Sequence, residues 1–211
     1  MNNTSQPHLF WGSASPLAAF SGGGLLIMAT ARFSYALIVS LSLFWVYCLS
    51  VLVFNPASRL FPGRGVILCQ TFLASLTAGL FLLVLWILCP LAALENFFIV
   101  SLVPLFCVSS GIFQRLDSLD LTDAVTRASS EAAVLSLLIL VFALIREPLG
   151  FLSLSIPGGS EGIVFIFSAN NKSFFPMQLI ANSSGALLLL GYGTGLYRYY
   201  RSINAPRETD I

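Results

Sequence analysis

The run Val66-Ile-Leu-Cys-Gln-Thr-Phe-Leu-Ala-Ser-Leu-Thr-Ala-Gly-Leu-Phe-Leu-Leu-Val-Leu-Trp-Ile-Leu-Cys-Pro-Leu-Ala-Ala-Leu94 contains no charged residue. It exceeds the roughly 20 apolar residues that a helix needs to cross a bilayer. The rest of the chain repeats the pattern. Its ten basic and nine acidic side chains fall mostly in short gaps between apolar runs. Fully 57% of the 211 residues are hydrophobic, and the mean hydropathy is +0.89, more apolar surface than a soluble domain of this length can hide. A charge at mid-bilayer costs roughly 2.5–3.5 kcal/mol on insertion scales, so the charged gaps mark the loops.

Working outward from 66–94, the gaps define six spans. The first covers 16–31 and is short, interrupted by Ser21-Gly22-Gly23-Gly24. The second covers 33–54 and is followed by turn signals at Asn55-Pro56 and Pro62-Gly63-Arg64-Gly65. Glu95-Asn96 closes the third, and a short fourth runs over 97–113. A polar segment, 114–131, precedes a fifth span at 132–145, and a sixth covers 176–197. The expected organisation is a polar leader (1–15), one all-α membrane domain (16–198) and a polar tail (199–211).

Counting Lys and Arg on each side orients the chain. Arg59, Arg64, Arg115, Arg127, Arg198, Arg201 and Arg207 share one side; Arg32, Arg146 and Lys172 share the other. With six crossings both termini fall on the richer side, expected to be cytoplasmic. Residues 1–15 hold no Lys or Arg, so the leader does not read as a secretory signal. His8 in that leader reads as an ordinary exposed residue, and the Asn171-Lys172-Ser173 sequon carries no weight.

Cys48, Cys69, Cys89 and Cys107 all lie inside apolar runs and none forms a C-x-x-C pair, which argues against a zinc finger or a disulfide framework. No dinucleotide fingerprint, P-loop, metalloprotease helix or nucleophile elbow occurs, and a net charge of +1 points to no nucleic acid. Asp117, Asp120 and Asp123 recur at three-residue spacing and read as the solvated face of a short interfacial helix, with Leu116, Leu119 and Leu121 opposite.

Spans one and four are both short and both carry small residues in mid-run, Gly22 to Gly24 and Ser109-Ser110-Gly111. Each precedes two fuller helices. Matched weak points in two three-span halves, about 16–96 and 97–198, are the sequence pattern of an inverted repeat, because three crossings reverse the second copy. Broken helices at membrane depth persist only where protein or a cavity lines them. The alternative is a pair of close-packing faces rich in small residues.

The stretch Phe98 to Arg115, the helix after it, and Ala143-Leu-Ile-Arg-Glu-Pro-Leu-Gly150 resemble the Rnf/Nqr family of membrane subunits, the D/E type, from ion-translocating NADH or ferredoxin oxidoreductases. The likeness is carried by residues 98–155, and over 17–97 by helix pattern. It implies six spans in two inverted repeats, a bacterial inner-membrane location, a homologous six-helix partner subunit, and a [2Fe-2S] cluster shared between the two. Iron–sulfur clusters need thiolates. The family's cysteine positions fall here on Gly23 and Ser110, so both ligands are replaced; Cys107, three residues before Ser110 and on nearly the same helix face, is the candidate substitute. The resemblance therefore implies a structural or ion-path subunit of an electron-transport complex, with no cofactor expected in this chain and no catalysis by the chain alone.

Arg146, Glu147 and Gly150 match the family motif. One reading gives Arg146 and Glu147 a part in a subunit interface or an ion path. The other has both snorkel at a span's end, Pro148 end the helix and Gly150 permit the turn. A different functional class also fits six helices, a small-solute transporter component such as that of a vitamin uptake system. Its pocket would need several convergent polar groups; the apolar runs offer scattered Ser and Thr, with Gln70, Gln178 and Asn182 as the amides in or near a run.

Overall fold

The computed structural model describes residues 29–58, 65–109, 120–158, 163–168 and 178–204. These form seven helices and one two-stranded hairpin: α1 (Phe33–Ser58), α2 (Gly65–Leu88), α3 (Pro90–Ser101), α4 (Val103–Ser109), α5 (Leu121–Phe151), β1 (Ser153–Pro157), β2 (Ile163–Ser168), α6 (Gln178–Ala181) and α7 (Ser183–Asn204). Four spans are long and apolar enough to cross a membrane: Phe33–Phe54, Leu68–Leu88, Pro90–Ser109 and Leu121–Phe151. Large apolar side chains such as Leu68, Phe72, Ile87 and Phe98 lie exposed along them, as expected of a surface solvated by lipid tails.

Helices α1 and α5 make the most extensive pair. The α5 face is built from small side chains, Ala124, Ala128, Ala132 and Ala143, continued by Leu135 and Ile139, all at three- or four-residue spacing and all buried. Against it lie Ala36, Val39, Leu43, Val46 and Tyr47 of α1. Hydrophobic driving force is weak between helices in lipid, so association depends on close backbone approach and interhelical hydrogen bonds. Both occur here. Ser40 Oγ donates to the Ser136 carbonyl at 3.4 Å, and Ser136 Oγ donates to the Ser40 carbonyl at 3.1 Å. Together with the Phe33–Glu147 contact, this reciprocal pair makes the two helices antiparallel. A hydroxyl pair, Ser50 Oγ and Thr77 Oγ1 at 2.9 Å, joins α1 to α2.

The small-residue face explains why α5 starts earlier than the sequence suggests. Residues 121–131 were expected in a solvated segment ahead of a span at 132, yet Ala124 and Ala128 continue the buried stripe and the polar residues ride on the same helix. At about 1.5 Å per residue the 31-residue helix is about 46 Å long, well beyond the ~30 Å hydrocarbon core, so its first turns project past the bilayer. Asp120 and Asp123 open this long helix instead of forming a short separate one, and Leu121 is exposed; Leu116, Asp117 and Leu119 lie outside the described residues.

The expected third span is also divided differently. Helix α2 stops at Leu88, and Cys89 takes an extended φ of −145° ahead of Pro90 at the start of α3. Proline has no N–H and pushes its predecessor out of the helical region, which suits it to a first turn. Glu95-Asn96, expected to form a loop, lies inside α3, where buried Asn96 donates Nδ2–H to the Ala92 carbonyl at 2.9 Å. The expected division between halves at 96/97 thus falls within a helix. The fourth span becomes the 20-residue segment Pro90–Ser109. It is interrupted at Leu102, whose N–H turns to the Ile99 carbonyl at 3.2 Å, two residues before Pro104.

The connection after α5 folds into strands, so the described architecture is mostly but not wholly helical. β1 and β2 pair antiparallel, with an irregularity between Leu154 and Ser155. Ser153 and Ser155 of β1 are buried, and β1 packs on α1 and α5. The expected sixth span appears as α6 and α7, interrupted at Asn182. α7 is not among the helices apolar enough to cross by length and composition: glycines at 185, 191, 193 and 195 dilute it, and Tyr197-Arg198 ends its apolar run. The expected first span lies outside the described residues except for Ala29 to Ala31.

Candidate functional site, a buried polar cluster at one end of the bundle

Arg146 and Glu147 occupy consecutive positions on α5, one turn before its end, with 1% and 0% of their surfaces exposed. They do not snorkel. Each hydrogen-bonds backbone groups at a helix end. Arg146 Nε donates to the Ile180 carbonyl at 3.0 Å, and Nη2 donates to the Ala181 and Asn182 carbonyls at 2.8 and 3.1 Å. Its Nη1 donates to Thr30 Oγ1 at 3.0 Å. The three carbonyls bracket the break between α6 and α7. A helix interruption exposes acceptors that an apolar surrounding cannot satisfy, and the planar five-donor fork of arginine reaches several at once where lysine offers a point charge.

Glu147 performs the complementary task. Its Oε2 accepts the backbone N–H of Phe33, the first residue of α1, at 2.7 Å. The next donor, Ser34 N–H, is taken by Ser155 Oγ from β1 at 3.3 Å. A carboxylate at a helix N-terminus meets both the orphan donors and the positive end of the macrodipole. The second oxygen, Oε1, is buried without a hydrogen-bond partner among the described residues. One dipeptide therefore caps two helix ends, those of α1 and α6, beside the buried polar side chains of Thr30, Ser34 and Ser155.

Gly150 completes the cluster for a steric reason. A Cβ there would sit 3.1 Å from the backbone N, Cα and Cβ of Ala181, so glycine is what lets α6 approach α5 closely enough for the arginine fork to reach. It does not form the turn, because α5 continues through Pro148 and Gly150 to Phe151. The left-handed cap residue is Leu152 at φ 50°, whose N–H bonds the Pro148 carbonyl at 3.0 Å.

Of the sequence-derived candidates, Arg146, Glu147 and Gly150 come together in this cluster. Gly23 and Ser110 lie outside the described residues. Cys107 is fully buried on α4 among apolar side chains of the main core, including Val103 and Phe106. Among the described residues no group of three His, Cys, Asp or Glu side chains is placed to hold a metal ion. Sequence reasoning missed Thr30, Ser155 and the carbonyls of 180–182. Its one available signal was an Arg-Glu pair abutting an uninterrupted apolar run.

A bundle with this lipid-exposed surface and four crossing-length helices defines a membrane-embedded helical protein. Comparison with family models, curated proteins and solved structures finds no match for the chain.

Proposed function

We propose that the chain is a membrane subunit of an ion-translocating electron-transport complex of Rnf/Nqr type, in a structural or ion-path role and without a [2Fe-2S] cluster of its own. In this reading six spans form two inverted three-helix repeats in a bacterial inner membrane, with both termini cytoplasmic and a homologous six-helix subunit alongside. The observation that supports it best is the cluster just described. The stretch on which the resemblance rests, Ala143 to Gly150, contains the buried Arg146 and Glu147 that close two helix ends, so the motif residues coincide with a demand of the fold.

The test is to purify the chain from native membranes through an affinity tag, identify its companions by mass spectrometry, and measure iron and EPR spectra. Companions of the expected kind are a second six-helix membrane protein and flavin-bearing or NADH-oxidising subunits. An ATPase companion would refute the proposal in favour of solute uptake. A reducible two-iron signal assigned to this subunit would refute the structural or ion-path role.

A further inference from the structure

The hairpin's depth can be read from its contacts. The apolar run Phe33–Phe54 of α1 is 22 residues, about 33 Å of helix, close to the ~30 Å hydrocarbon core. Phe33 therefore marks one hydrocarbon boundary, with Arg32 just outside it. Both strands sit at that level. Ser155 in β1 touches Ser34 N at 3.3 Å, and the Phe165 ring in β2 lies 5.6 Å from the Arg32 guanidinium carbon. Only four residues, Pro148 to Phe151, extend α5 beyond Glu147, about 6 Å, which is the depth of one headgroup layer.

β1 is the strand turned toward the bundle, so β2 is the outer one. Its three consecutive residues Val164, Phe165 and Ile166 are 41%, 48% and 60% exposed. Ile145, Leu149 and Phe151 near the end of α5 are likewise exposed. An apolar edge strand in water would be an aggregation hazard; at the boundary between headgroups and acyl chains, its side chains meet lipid while its backbone edge meets headgroups and water.

We infer that β2 is an interfacial membrane foot: its exposed apolar side chains, Ile166 foremost, insert among the upper acyl chains of the leaflet at this end of the bundle, and Arg32, stacked on Phe165, meets the lipid phosphate. Phospholipid is the occupant because the contacts of both strands with the start of α1 set their depth at the hydrocarbon boundary. Aromatic and cationic side chains favour this zone.

The test uses the full chain with its co-purifying partners in phosphatidylcholine–phosphatidylglycerol vesicles. Trp11, Trp45 and Trp86 are replaced by phenylalanine, and Ile166→Trp supplies the reporter. The expected result is blue-shifted emission, reduced about twofold by lipids brominated high on the acyl chain and little affected by aqueous iodide, since interfacial groups lie about 5–10 Å into that zone. Quenching by iodide and not by bromolipid would place the strand in water. Quenching by neither would place it under another protein. Either result overturns the inference. Should the phenylalanine background fail to fold, Ile166→Trp and Val164→Trp are read as differences from the parent with its native tryptophans.

Discussion

Replacing Arg146 by methionine removes the fork while keeping most of the side chain's apolar volume. Four hydrogen bonds disappear, to the carbonyls of Ile180, Ala181 and Asn182 and to Thr30 Oγ1. The Asn182 carbonyl still accepts from Ala186 N–H at 3.2 Å, so the main loss falls on Ile180 and Ala181. A buried acceptor stripped of its donor costs about 1–3 kcal/mol, and because Ile180 and Ala181 are only partly buried the two together should cost roughly 2–4 kcal/mol. The guanidinium no longer has to be desolvated, which offsets part of this cost. A chain of this size loses about 2–4 °C of melting temperature per kcal/mol, so Arg146→Met should melt about 4–16 °C below the parent. Arg146→Lys, with one ammonium in place of a planar fork, should fall between them. The assay is thermal loss of the monodisperse peak in size-exclusion chromatography of detergent-solubilised protein. An Arg146→Met protein that melts within about 2 °C of the parent would refute the capping role.

Three further outcomes follow from the same geometry. Glu147→Gln keeps an acceptor for Phe33 N–H, whereas Glu147→Ala leaves the α1 terminus bare, so alanine should be less stable than glutamine by about 1 kcal/mol; equal melts would show that the carboxylate charge, not the cap, matters. Gly150→Ala drives a Cβ against Ala181 and should cost about 1–3 kcal/mol, while Gly79→Ala, with nothing within 4 Å, should be neutral or gain up to about 1 kcal/mol in the same melts. A double-mutant cycle on Ser50→Ala and Thr77→Val should give a coupling of about 0.6 kcal/mol, the usual size for hydroxyl pairs between membrane helices; additive effects would dissolve the pair.

The helices were legible where a one-dimensional rule suffices. A charge-free run must avoid water and satisfy its own backbone, so the α1 span at Phe33–Phe54 could be read directly from hydropathy. The same rule misplaced boundaries at Glu95-Asn96 and at 121–131, because it treats every polar residue as a loop. Asn96 is tolerated through a bond to its own helix, and Ala124 and Ala128 hold the polar turns of α5 onto α1. The strand pair escaped notice because pairing joins residues 153–157 to 163–168, and hydropathy scores each residue without its partner.

The amino-acid order by itself determined that this chain is membrane-embedded and helical, and it singled out Arg146, Glu147 and Gly150 as notable. The roles of those three were decided only in three dimensions. Which backbone groups go unsatisfied depends on where helices break and which ends meet, and those meetings join residues 33 with 147 and 146 with 180–182. No local pattern encodes a donor more than thirty residues from its acceptor. An Arg-Glu pair that looks like a solvated helix end becomes, once α1, α5 and α6 converge, the buried cap of two of them.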